Sequence, residues 1–349
     1  MQYTNFNSFI NKILNRIEIK LKRTYLLSRP LEVAIEPTMK CDSNCVMCNR
    51  NFSRKETKNA AGLLSWDILL KAQPFFKYAE RVLFCGFGEA LLHPEYLAML
   101  REIKRSNPFV YLFTNGISMT EEMGRGLVDA GIDMICISIG GATKETYRKI
   151  RGVDAFEQVM NNIRLITEYK KKTGKKIPIL TFEVVAMNSI LNELESIVQL
   201  AHSVGVECIN SPNLVVQGMD IKEECTWLNI ENTRKAYQKA GIMAKKLNIT
   251  FNSPIFNVCR SDCRAFFQKM FINWDGTVMT CALERYIIGD LKKENIASIW
   301  NSNGMIKLRK NYYEKGLEVT CPNCVCWDKR PETFLNPSIN SREYAEQVL

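Results

Sequence analysis

Between residues 31 and 216 the chain repeats one alternation that leaves few folds open. Six short, nearly continuous apolar runs recur: LEVAIEP (31–37), RVLFCGFG (81–88), FVYLFTNG (109–116), MICISIG (134–140), PILTFEVVAM (178–187) and VECINSPNLVV (206–216). Amphipathic segments at 65–80, 93–106, 119–130, 154–172 and 191–204 separate them. Strands apolar on both faces, each followed by a helix, predict βαβ units and a parallel sheet covered on both sides. Six such strands form an open sheet or a partial barrel. Either way the active site belongs at the C-terminal strand ends. The polar stretches agree: Gly86–Glu89 follow RVLFC, Thr114–Gly116 follow FVYLF, Ser138 ends MICIS, and a cysteine-rich loop follows LEVAIEPT.

That loop reads CDSNCVMC over residues 41–48, three cysteines with no fourth within thirty residues on either side. A structural zinc site takes four ligands, usually from paired C-x2-C sets. A 4Fe–4S cluster held by three thiolates instead leaves one iron open for a ligand. The chain has 13 cysteines and only 2 histidines, so the chemistry it can support is sulfur-centred rather than imidazole-based. Without a secretion signal, such a count fits metal binding in a reducing, cytoplasmic compartment better than disulfides.

Composition excludes other classes. No apolar run is long enough to span a membrane. A formal charge of +10 over 349 residues is mildly basic, without the dense Lys/Arg tract that nucleic-acid binding favours. At the N-terminus Phe6, Phe9, Ile10, Ile13, Leu14 and Ile17 recur at helical spacing, with Lys12, Arg16 and Lys20 between them. The expectation is an amphipathic helix over residues 1–30 packed on the main domain; the alternative is a membrane-surface or partner helix.

CDSNCVMC resembles the C-x3-C-x-Φ-C signature of the radical S-adenosylmethionine superfamily, with Met47 at the Φ position that is commonly aromatic. The resemblance covers roughly residues 31–216 and implies a partial (β/α)6 TIM-like barrel. It also implies that Cys41, Cys45 and Cys48 ligate a 4Fe–4S cluster whose open iron chelates S-adenosylmethionine. Reductive cleavage then yields a 5′-deoxyadenosyl radical that abstracts hydrogen from substrate. CGFGEA resembles the family's GGEP loop, so Gly88 and Glu89 are carried over as contacts of the methionine amino group; Phe87 and Ala90 depart from that pattern. Asn115 in TNG, Ser138 and Arg151 resemble further cofactor contacts: a strand-end polar group, a ribose-binding serine and a carboxylate-pairing arginine. Many relatives read S-x-D-G after the fourth strand. This chain reads Ser138-Ile139-Gly140-Gly141 and lacks the aspartate. MNSILNEL (187–194) resembles the loop beside the adenosine.

Beyond residue 217 the pattern changes. Residues 229–248 read as one long helix, 269–281 as a hairpin turning at Asp275-Gly276, and 296–310 as a short helix interrupted near Gly304. Cys263, Gly276, Cys281 and the C-P-x-C of residues 321–324 resemble the auxiliary-cluster domains called SPASM and Twitch. That resemblance implies Cys263, Cys281, Cys321 and Cys324 as ligands of a second 4Fe–4S cluster, with Cys259 and Cys326 as spares. A four-cysteine zinc site is the alternative. Cys85, Cys136, Cys208 and Cys225 read as core or surface thiols. The expected domains are 1–30, the barrel at 31–228, a linker helix and auxiliary-cluster α+β domain at 229–335, and a tail at 336–349.

The implied activity is a radical oxidoreductase in which the auxiliary cluster takes an electron from the substrate. Candidate bases on the rim are Glu183 and Glu284, neither with a family match. Only about thirty residues precede the first strand. That favours a small substrate, such as a sugar alcohol, an aminoglycoside-type molecule or a nucleotide-linked intermediate, over a leader-guided peptide. The alternatives are a peptide maturase forming a crosslink or epimer, an RNA-modifying radical enzyme, and a non-catalytic iron–sulfur or zinc protein. A flavodoxin- or ferredoxin-type reductant is the implied partner.

Overall fold

The computed structural model describes residues 5–48, 50, 62–214, 219–254, 263–281, 286–316 and 320. After α1 (Phe6–Lys20) come β1 (Glu32–Ile35), α2 (Trp66–Phe76), β2 (Arg81–Phe84), α3 (Tyr96–Lys104) and β3 (Phe109–Thr114). The chain continues through α4 (Glu121–Asp129), β4 (Met134–Ser138), α5 (Lys144–Arg151), α6 (Phe156–Thr173) and β5 (Ile179–Glu183). Next are α7 (Leu194–Val204), β6 (Cys208–Asn210), α8 (Ile230–Lys246) and β7 (Thr250–Asn252). The last described elements are α9 (Ala265–Gln268), β8 (Lys269–Ile272), β9 (Thr277–Met279), β10 (Ile287–Asp290), α10 (Ile296–Trp300) and α11 (Asn303–Lys315).

All ten strands belong to one sheet in the order β10-β9-β8-β1-β2-β3-β4-β5-β6-β7. β8 and β1 to β7 run parallel, β9 is antiparallel to β8, and β10 is antiparallel to β9. The sheet does not close on itself, because β7 and β10 are its two edges; this is the partial barrel. Alternate residues face opposite sides of each strand. On one side Val33, Ile35, Val82, Phe84, Ile135 and Phe182 merge with the helices into the main core. The other side carries a separate cluster of Ala34, Leu83, Phe271 and Met279, with Cys85, Tyr111 and Phe113 against it.

The expected strands are all present, shorter than their apolar runs, and four differences stand out. First, α8 is not a linker: it packs on α7 and feeds β7, which pairs parallel with β6. The parallel sheet therefore runs past residue 228, the expected boundary. β7 was missed because a three-residue TFN strand carries no periodicity. Second, the expected hairpin forms, but β8 also pairs with β1, so the C-terminal region extends the barrel's own sheet. Third, the helix break falls at Asn301-Ser302, not Gly304. Ser302 caps α11, its hydroxyl accepting from the Met305 amide at 3.4 Å. Fourth, α1 packs with the face opposite to the one expected. Its buried residues are Ser8, Asn11, Asn15 and Glu18.

The physical reason for this inversion is hydrogen bonding. Asn11 Nδ2 donates to the Arg29 and Tyr78 carbonyls, each at 3.0 Å, and Asn15 Nδ2 donates to the Phe267 carbonyl at 2.7 Å. Glu18 accepts from the Leu27 and Ser28 amides at 2.6 and 3.1 Å. Buried backbone groups left without partners cost about 1–3 kcal/mol each. The polar face of α1 satisfies several at once and takes the inward position.

Candidate functional site

The loop that leaves β1 carries Cys41, Cys45 and Cys48 across the C-terminal ends of the strands. Three neighbours fix it. The Asn44 and Val46 amides donate to the carbonyls of Arg151 and Ile150, at 3.1 and 3.0 Å, so the loop docks on the last turn of α5. Gly152 ends that helix at φ +68°, and a Cβ there would lie 2.3 Å from the Asn44 carbonyl oxygen. Only glycine supplies both the left-handed conformation and the space. On the other side the Glu89 amide donates to the Lys40 carbonyl at 2.7 Å, and a Cβ on Gly88 would lie 2.1 Å from the Thr38 oxygen. Below, the Met39 amide and Thr38 hydroxyl both donate to the Gly62 carbonyl.

Glu89 is buried and its carboxylate is nearly saturated by protein donors. Oε1 accepts from the Thr114 hydroxyl at 2.7 Å and the Leu91 amide at 3.2 Å; Oε2 accepts from the Asn115 amide at 2.7 Å. A carboxylate has about four lone-pair sites, so one remains on Oε2. Burial pushes its pKa up to about 7, against the lowering effect of those three donors. Asn115 extends the lock, its Nδ2 donating to Asp42 and, at 3.0 Å, to the Ser43 hydroxyl inside the cysteine loop. Gly88, Glu89 and Asn115 are thus brought against the loop.

Two arginines flank the cysteines. Arg50 is buried and donates to the Ser43 carbonyl at 2.8 Å, while Arg151 ends α5. The Nε atom of each is buried with no hydrogen-bond partner among the described residues. Burial pushes the Cys41 thiol up to about 11, opposed by the Ser43 amide and the Arg50 charge. Burial raises Cys45 as well, opposed chiefly by the Arg151 charge. Thiols desolvated this far stay protonated near neutrality unless a metal displaces the proton. The donor set, with two guanidinium groups beside it whose Nε atoms have no partner among the described residues, therefore fits an anionic thiolate cluster better than a free nucleophile. Among the described residues no three Cys, His, Asp or Glu side chains converge into a site for a single metal ion. Arg50 was not singled out by sequence reasoning; its signal is its position two residues after the third cysteine.

Across the barrel, Ser138, Glu183, Asn210 and Asn252 occupy successive registers at the ends of β4, β5, β6 and β7. Asn252 Nδ2 donates to Asn210 Oδ1 at 2.6 Å, and Asn210 Nδ2 donates to Glu183 Oε1 at 2.8 Å. Burial pushes Glu183 up to about 7, with the Asn210 and Cys136 donors pulling the other way. Sequence reasoning found Glu183 and Ser138 but missed the two asparagines, which sit on three-residue strands. Glu193, from the 187–194 segment, accepts from the Ala142 amide at 2.7 Å and so ties that segment to the loop after β4.

Of the expected auxiliary ligands, Cys263 precedes α9 and Cys281 follows β9, both partly exposed. Cys321, Cys324, the spares Cys259 and Cys326, and the candidate base Glu284 lie outside the described residues, as does the tail. The described cysteines form no disulfide, and among the described residues no helix is long and apolar enough to cross a membrane.

Comparison with known proteins places this geometry. The sequence model described as the Radical SAM superfamily matches residues 35–201, and SPASM, described as an iron-sulfur cluster-binding domain, matches residues 263–325. The chain is 23% identical over 316 residues to a tungsten-containing aldehyde ferredoxin oxidoreductase cofactor-modifying protein of Pyrococcus furiosus, covering 83% of this chain and 86% of that one. It is 24% identical to an AdoMet-dependent heme synthase of Methanosarcina barkeri, covering 83% and 88%. Among solved structures, Streptococcus suis SuiB bound to its precursor peptide SuiA superposes with a TM-score of 0.64 at 16% identity, covering 85% of this chain and 70% of that one.

Proposed function

Because the chain belongs to the radical S-adenosylmethionine superfamily and carries a SPASM-type iron–sulfur domain, we propose that it oxidises a small molecule held at the strand ends beside Glu183. The enzyme's cofactors are S-adenosylmethionine and 4Fe–4S clusters. When bound, they supply a 5′-deoxyadenosyl radical that takes hydrogen from a substrate carbon, and an acceptor for the electron that leaves afterwards. In this reading Cys41, Cys45 and Cys48 hold the first cluster, and Cys263, Cys281, Cys321 and Cys324 hold the auxiliary one. The observation that carries it is the cysteine loop, pinned on α5 and under Gly88 with Arg50 and Arg151 beside it.

The chain's own residues then have distinct tasks. Arg151 pairs with the cofactor carboxylate, and Ser138 meets its ribose. Glu89 offers its one free lone pair to the cofactor's amino group, while its other contacts hold Asn115 and the cysteine loop in place. Glu183 is poised to take a proton from a substrate hydroxyl, because a pKa near the operating pH suits a general base. Asn210 orients that carboxylate. The electron donor is a flavodoxin- or ferredoxin-type protein in a reducing, cytoplasmic setting, which suits the lack of disulfides among the described cysteines.

Relatives named for heme synthesis and cofactor modification support a small-molecule substrate. A peptide substrate is the second reading, supported by the likeness to SuiB with its precursor peptide. The test is anaerobic reconstitution with iron and sulfide, then dithionite and S-adenosylmethionine. The expected result is 5′-deoxyadenosine and an iron content of about eight per chain. No 5′-deoxyadenosine from a fully loaded protein would rule the activity out.

A further inference from the structure

The apolar stripe of α1 has no cover among the described residues. Phe6, Ile10, Ile13, Ile17 and Leu21 follow one another at spacings of four and three residues, and their exposure runs from 40% at Ile13 to 77% at Phe6. Tyr25 and Leu27 continue the patch at 57% and 59% exposed. Scattered exposed apolar residues need no explanation, but a contiguous stripe marks an interaction surface. The helix is not free to roll the stripe inward, because Asn11, Asn15 and Glu18 bond its opposite face to the body of the protein.

Charge decides what the stripe meets. Residues 1–31 contain six Lys or Arg and a single acid, Glu18, which is buried and occupied by backbone amides. Arg16, Lys20, Lys22 and Arg23 are exposed around the stripe. Beside the helix lies a cleft of about 260 Å³ lined by Lys12, Arg16, Arg81, Arg264 and Lys269. Its two carboxylates are already engaged, Glu80 by Lys12 and Glu32 by Arg81 and Lys269. Arg16 and Arg264 form no ion pair among the described residues. Glu32, Arg81 and Lys269 begin β1, β2 and β8. The cleft therefore opens at the N-terminal end of the barrel, away from the cysteine loop.

We propose that α1 is an interfacial helix that seats the protein on an anionic lipid bilayer. The stripe lies in the boundary between headgroups and acyl chains, and the cleft faces the phosphates. An apolar face flanked by Lys and Arg is the pattern for a helix that lies on a membrane, and each cation near an anionic surface strengthens binding about fivefold. A second copy of this chain is the poorer occupant, since it would set one basic rim against another. Seated this way, the strand ends that carry the cysteines point away from the lipid and stay open to substrate and reductant.

The test is co-sedimentation of the full, anaerobically purified chain with vesicles. Binding to equimolar phosphatidylcholine–phosphatidylglycerol vesicles, absent with phosphatidylcholine alone and reversed by high salt, is the expected result. Ile13→Asp should lower partitioning at least about tenfold, and Arg16→Glu about fivefold or more, with circular dichroism and cluster absorbance unchanged. If Ile13→Asp fails to fold, Phe6→Ser at the most exposed position replaces it. No binding to anionic vesicles, equal binding to neutral ones, or binding that survives both apolar substitutions overturns the proposal. So does a concentration-dependent dimer that Ile13→Asp or Phe6→Ser dissolves.

Discussion

At the C-terminal ends of the strands the charged and polar side chains are bonded to one another: Glu89 and Asn115 are buried, Glu183 and Asn210 half-buried, and Asn252 exposed. Glu89 takes three protein donors, Asn115 reaches into the cysteine loop, and Asn252 supports Asn210, which supports Glu183. At the N-terminal ends, Glu32 meets Lys269 at 2.9 Å and Arg81 at 3.5 Å, through cations that are half exposed. The first arrangement fixes geometry and shifts proton affinities; the second is screened by salt and contributes little to stability. One barrel therefore carries a rigid chemical end and a charged docking end, and each can be damaged without the other.

The largest separation should come from replacing Cys41, Cys45 and Cys48 together with alanine. Cleavage of S-adenosylmethionine should vanish and iron should fall to about half, while vesicle binding is unchanged. Substitutions that pry the loop off its supports come next. Gly88→Ala places a methyl against the Thr38 and Lys40 carbonyls, and Gly152→Ala adds strain of about 1–2 kcal/mol from the left-handed backbone alone. Both should lower thermal stability and the iron retained by the first cluster, read by calorimetry and iron analysis, and Gly88→Ala more severely.

Glu183 gives a subtler effect. Its raised pKa means that it is protonated below about pH 7 and charged above. A step that needs the carboxylate should therefore speed up as pH rises through that value. Infrared difference spectra should show a protonated-carboxyl band that titrates there and is missing in Glu183→Gln. The smallest change is Asn210→Ala. It removes a donor to the charged form and should move that titration further upward. Glu32→Gln, at the opposite end, should leave all of these readouts unaltered.

How much of this was legible in the sequence follows from which signals are local. The apolar runs located six strands because most of them are largely buried on both faces, and the spacing of C-x3-C-x2-C predicts three ligands with one coordination position left open. Glu183 was reachable as a strand-end acid. Asn210 and Asn252 were not, because their partnership depends on β6 and β7 lying side by side. α5 was missed because KETYRKIR buries only Tyr147 and Ile150, too few for a periodic signal. The orientation of α1 was legible only as two faces. Which face turns inward is set by the carbonyls of Tyr78 and Phe267, far away in sequence. Amphipathicity says that a helix has a greasy side and leaves open what that side touches.

The most direct measurement of the central claim uses Cys281→Ala, expected to lose the auxiliary cluster and keep the one at the loop after β1. Electron paramagnetic resonance of the reduced variant is recorded before and after addition of S-adenosylmethionine. We expect one 4Fe–4S signal whose shape changes with the cofactor, because the ligand enters the coordination sphere that the three cysteines leave incomplete. A fully occupied cluster whose spectrum ignores S-adenosylmethionine would contradict the account.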